Sequence, residues 1–122
     1  MNNGKIKIFN YKDMIAIDLY SQGKVTRDDI HWLSDSFRQE CKRKQNIIAL
    51  ISGNYNLSSS ATHMISMQKH LFGDAVAFVV QSSCLVINDL YYAQFSYLKG
   101  KSVAYFDDVN VAYDWIKQTQ PV

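Results

Sequence analysis

The chain has 122 residues, 48% of them hydrophobic and 13% aromatic, with a single proline; this is enough apolar surface for one packed domain, 1–122, and excludes a disordered chain. Thirteen Lys and Arg against eleven Asp and Glu leave a net charge of only +2, far from the basic balance of a nucleic-acid binder. No run reaches the ~18 apolar residues of a membrane span and the first residues have no signal-peptide core, so a cytoplasmic protein with no transmembrane segment and no nucleic-acid partner is expected.

The chain begins with two alternating segments, "KIKIF" and "MIAIDLY", on either side of the turn-like "NYKD". Alternation with period two predicts an N-terminal β-hairpin. The next stretch, "GKVTRDDIHWLSDSFRQECKRKQ", opens a helix with a capping box: Thr26 is placed to accept from the Asp29 amide while the Asp29 carboxylate reaches back, and Val25 and Ile30 hold the staple positions. Ile30, Leu33, Phe37 and Cys41 make its buried stripe, and Lys42, Arg43 and Lys44 complement the negative end of the helix dipole.

"IIALI" and "AVAFVV" are continuously apolar, as central strands covered on both faces are. Between them, Ala61, Met64, Ile65, Gln68, Leu71 and Phe72 share one helical face, and Gly73 stands where a C-terminal cap calls for positive φ. After "AVAFVV", the run "SSCLVINDLYYAQFSYLKG" has helical spacing and ends at Gly100; "KSVAYF" is a strand, and "DDVNVAYDWIKQ" a last helix capped by Asp107. Strands alternating with helices imply crossover connections and a mainly parallel sheet.

The C-terminal half resembles the SpoIIAA-like (STAS-type) single-domain bacterial proteins. "AVAFVV", a small polar turn and an aromatic helix lead into "VAYFDDVNVAYDWIK", where Phe106, Asp108, Ala112, Trp115 and Ile116 fill the pattern F-x-D-x-x-x-A-x-x-W-[LI]. The expected fold is thus α/β and SpoIIAA-like: an N-terminal β-hairpin, then βα repeats, with a mixed, mainly parallel sheet covered by about four helices. In the phosphorylatable members of this fold the regulatory serine begins the helix after the second central strand, inside an Asp-Ser-Ser-Gly-like turn. The matching region here, "SGNYNLSSSAT", has three serines but lacks the aspartate before them and the glycine after them.

Two readings of Ser58, Ser59 and Ser60 stand side by side. A serine hydroxyl caps a helix by accepting from an orphan amide, and a phosphate on the same residue would meet those amides and the positive end of the dipole. The aromatic helix carries the second candidate. Apolar residues surround most of it, so Leu85, Tyr91, Tyr92 and Phe95 are an expected interface or apolar-ligand surface. A homodimer, a protein partner or a small apolar ligand would each cover that surface; tyrosines lying flat with their hydroxyls in water are the bland alternative.

Metal and catalytic chemistry find no pattern to rest on. Cys41 and Cys84 are 43 residues apart, which suggests neither a disulfide framework nor a zinc site. His63 and His70 would lie about 10 Å apart along a helix axis, too far to share an ion. There is no G-x-S-x-G elbow, glycine-rich phosphate loop or H-E-x-x-H. The expectation is a non-catalytic binding or regulatory module that uses no cofactor and no metal and acts by protein–protein recognition. The alternative is a carrier or sensor of a small hydrophobic ligand such as a fatty acid or lipid.

Overall fold

A computed structural model describes residues 1–40, 45–53, 55–80 and 97–119. β1 (Ile6–Tyr11) and β2 (Met14–Leu19) form the expected hairpin around Lys12 and Asp13. Then follow β3 (Lys24–Val25), α1 (Arg27–Glu40), β4 (Gln45–Ile51), β5 (Asn56–Leu57), α2 (Ser59–Gln68) with a 3-10 turn (Lys69–Leu71), β6 (Phe72–Val80), β7 (Ser102–Phe106) and α3 (Val109–Thr119). Three α-helices thus stand among the described residues, against the four or so expected. The aromatic helix expected over 82–99 lies outside them except for its last residues, as do Cys41, Lys42, Arg43 and Lys44.

The five-stranded sheet has the order β1-β2-β4-β6-β7, antiparallel at the hairpin and parallel from β2 onward. From β2 to β4 to β6 the chain steps one strand at a time in one direction, and right-handed crossovers then place α1 and α2 on the same face. That face holds the larger core, with Ile17, Ile30, Leu33, Phe37, Ala49, Met64 and Phe78. α3 covers the opposite face, where Ala112 and Ile116 pack on Met14, Ala16, Ile48, Ala77 and Val79. Trp115 leans on Phe106, ring centroids 5.7 Å apart. The C-terminal motif is therefore the packing stripe of α3 on the sheet.

Several local expectations change. β3 and β5 pair as a short parallel ribbon, Lys24 with Asn56 and Val25 with Leu57; two residues are too few for alternation to be read. The capping box at α1 forms with one role exchanged. Asp29 Oδ2 accepts from Thr26 N at 2.8 Å as expected, but the Thr26 hydroxyl also donates to it, at 3.1 Å. At α3 the cap is Asp108, whose Oδ1 accepts from Asn110 N at 2.8 Å, rather than Asp107. Gly73 is no helix cap: α2 ends in the 3-10 turn, and Gly73 lies inside β6 without positive φ. An added Cβ there would run into Asn46 Oδ1 and stand 2.7 Å from Asn46 N, so close approach between strands is what calls for glycine. Gly100 does take positive φ, at +94°.

Candidate functional site

Between the sheet and the α1–α2 layer lies an apolar cavity of about 70 Å³. Strand alternation supplies its floor, because every second residue of β2, β4 and β6 faces this side. One row across the pleat runs Ile17–Ala49–Phe78, in register. The central place in that row is a single methyl group flanked by larger side chains, so the small residue at 49 leaves room on the floor. Ile47 and Val76 make the next row, and Leu19 extends the floor along β2. α1 contributes Ile30 and Leu33, α2 contributes Ile65, and Tyr55, Leu57, Phe72, Tyr97 and Leu98 complete the described wall.

No charged residue lines this cavity among the described residues. A water molecule needs two to four polar partners to be held in place, so a lining of this kind favours an apolar guest over ordered water. Its size is about half that of the ~150 Å³ engineered cavity that admits benzene or xenon. The arrangement can shelter a small hydrocarbon group, and among the described residues its lining holds no carboxylate, imidazole or ammonium for proton transfer.

The serines stand directly beside this wall. Leu57 lines the cavity and Ser58, the next residue, caps α2: its Oγ accepts from Ala61 N at 3.1 Å and lies 3.2 Å from Ser60 Oγ. Ser59 and Ser60 are exposed in the first turn, where the Thr62 hydroxyl donates to Ser59 O at 2.8 Å. The other expected surface residues, Leu85, Tyr91, Tyr92 and Phe95, lie outside the described residues. Tyr97 and Leu98, which follow them, are buried in the cavity wall. Tyr55 and Leu57 were not foreseen; an aromatic and an aliphatic residue inside the polar "GNYNLSS" are the sequence signal that could have found them.

The histidines do not converge. His31 Nδ1 is 3.3 Å from Asp35 Oδ2, His70 Nδ1 is 3.1 Å from Met67 O, and His63 is exposed. No three His, Cys, Asp or Glu come together to hold a metal among the described residues.

Perturbed carboxylates occur elsewhere, at two structural junctions. Partial burial pushes the Asp29 carboxyl upward, but the Thr26 amide and the Lys5 ammonium outweigh it and hold the group below its usual range. Asp13, in the hairpin turn, accepts from Lys117 at 2.6 Å and from the Tyr113 hydroxyl at 2.5 Å. These two α3 donors, Lys117 foremost, bring its pKa down to about 2. The same hydrogen bonds raise the pKa values of Tyr113 and Lys117. Neither Asp13 nor Asp29 is itself part of the cavity lining.

No family model and no curated protein matches the chain. Among solved structures, it is similar to the crystal structure of an uncharacterised protein of the DUF3478 family, with a SpoIIAA-like fold, from Shewanella loihica PV-4. The two are 22% identical over 91% of each chain, with a TM-score of 0.58. The fold is therefore SpoIIAA-like, as the C-terminal motif implied. No described helix is long and apolar enough to cross a membrane.

Proposed function

We propose that this domain is a non-catalytic binding module whose ligand places a small hydrocarbon group, such as the end of an acyl chain, in the cavity over Ala49. The observation that carries this reading is the wholly uncharged lining of the described wall, between the sheet and α1–α2. Burying apolar ligand surface there is favoured by about 25 cal/mol per Å², and no ionised group would have to lose water.

The test is a methyl NMR titration with xenon, which probes the cavity without assuming a ligand. Saturable shifts are expected at Ile17, Ile47 and Val76, and Ala49→Val, which places two further methyl groups on the floor, is expected to abolish them. Unchanged spectra in the wild-type protein would sink the reading. Native mass spectra of protein purified from cells then identify any natural adduct by its mass.

Protein recognition through the start of α2 is a second reading. It is favoured by Ser59 and Ser60 being exposed next to the cavity wall; a phosphate there would add nearly two negative charges close to Leu57. Intact mass of the cellular protein before and after phosphatase treatment decides whether a serine carries one. A reducing, cytoplasmic compartment goes with either reading, given two cysteines with no disulfide-framework spacing.

A further inference from the structure

The two edges of the five-stranded sheet are finished differently. Along β1 the preceding residues fold back over the edge: Asn2 bridges Lys7, Ile8 N donates to Met1 O at 2.8 Å, and Asn3 N donates to Ile6 O at 3.1 Å. The edge also carries the exposed charge of Lys7. At the opposite edge, β7 pairs only with β6 among the described residues, and it does so without a bulge. Its sequence Ser102-Val103-Ala104-Tyr105-Phe106 has no charge, proline or glycine, and the four apolar residues are only half-buried. Within the strand, no charge, proline or bulge opposes edge pairing.

We propose that β7 pairs antiparallel with β7 of a second copy of this chain, about a two-fold axis at Ala104, joining two sheets into one. A two-fold axis normal to the sheet keeps each face on its own side, and residues directly opposite in an antiparallel pair share a face. Only registers centred on a residue satisfy both conditions. Centred on Ala104, all five residues pair: Val103 faces Tyr105, and Ser102 faces Phe106. Just beyond the strand, Lys101 faces Asp107, so opposite charges meet at both ends.

The neighbouring registers lose this match. Centring on Val103 sets Lys101 against Tyr105, and centring on Tyr105 sets Val103 against Asp107. Asp107 is exposed and leaves the capping of α3 to Asp108. Lys101 Nζ already donates to Phe72 O at 3.2 Å, but an ammonium has three N–H groups and can keep that bond. α3 packs chiefly on β6 and β4 and reaches β7 through Trp115 against Phe106, contacts on the face of the strand that leave its pairing edge to a second copy.

Two measurements test the pairing. Sedimentation equilibrium over a hundredfold concentration range is expected to give a dimer for the wild-type protein. D107K sets lysine against lysine at both ends and should weaken the dimer by roughly tenfold or more, and the swap K101D/D107K should restore it. In a C41S/C84S background, A104C brings two sulfur-bearing residues opposite one another at a Cα separation of about 4.5–5.5 Å, within disulfide reach. S102C places its two copies about 13 Å apart. Ready oxidative crosslinking of A104C but not S102C supports the register, with circular dichroism confirming that each variant is folded. A wild-type monomer at every concentration overturns the proposal; so does a dimer that D107K leaves unchanged and that S102C crosslinks as readily as A104C.

Discussion

Asn46 is a buried polar residue at the start of the otherwise apolar strand β4, and its partner explains why the strand tolerates it. The ladder between β4 and β6 jumps from Gln45–Phe72 to Ile47–Val76, which leaves the Ala75 amide facing a side chain instead of a carbonyl. Asn46 Oδ1 accepts from that amide at 3.0 Å, so burial costs neither group its hydrogen bond. Gly73 makes room for the same side chain. Gly73→Ala is therefore expected to destabilise the fold by about 1–3 kcal/mol, while Gly23→Ala, with nothing within 4 Å of the added Cβ, should stay within about 0.5 kcal/mol. Paired urea titrations check the contrast, and equal midpoints would refute the crowding argument. A glycine that follows a helix-like run reads as a helix cap. The neighbour that gives Gly73 its role comes from another strand and leaves no trace at its own position in the sequence.

At the scale of elements, helix starts were the most readable features because caps are local chemistry. The Asp29 carboxylate reaches back to the Thr26 amide, which is half of the expected box, and Ser58 caps α2. Ser58→Ala is expected to cost about 1 kcal/mol through the lost bond to the Ala61 amide. At α3 the two adjacent aspartates make a sharper test. Asp108→Ala should cost about 1 kcal/mol and Asp107→Ala close to nothing, measured by thermal unfolding; a larger loss at Asp107 would contradict the cap assignment. One residue of uncertainty separated the expected cap from the observed one, since either carboxylate satisfies the same sequence preference. β3 and β5 escaped notice for a related reason: each is two residues long and is defined by its partner rather than by its own pattern.

At the scale of the whole molecule, α3 is tied to the hairpin turn across 104 residues of chain by the Lys117–Asp13 contact. Lys12 stands 4.5 Å over the Tyr113 ring, and the Tyr11 hydroxyl donates to Asn110 at 2.6 Å. The folded Asp13 pKa of about 2 lies below the ordinary value of 3.8, so this contact stabilises the fold above the ordinary value and is lost as pH falls through the folded one. Tyr113 and Lys117 are raised, and their share is complete below their ordinary pKa values and lost at higher, alkaline pH. Wild type minus Asp13→Asn stability should therefore be level near neutrality and shrink between about pH 4 and pH 2; a difference that does not change across that range would exclude the ion pair as its source. The α/β class, the hairpin, the central strands and the α3 packing stripe were determined by the sequence alone, because periodicity and capping act over a few residues and do not depend on which neighbours the fold supplies. The cavity over Ala49, the Gly73–Asn46 contact and the contrast between the two sheet edges were decided only by the tertiary structure. Each depends on which strands lie side by side, and strand order is set by packing that couples residues far apart in the chain.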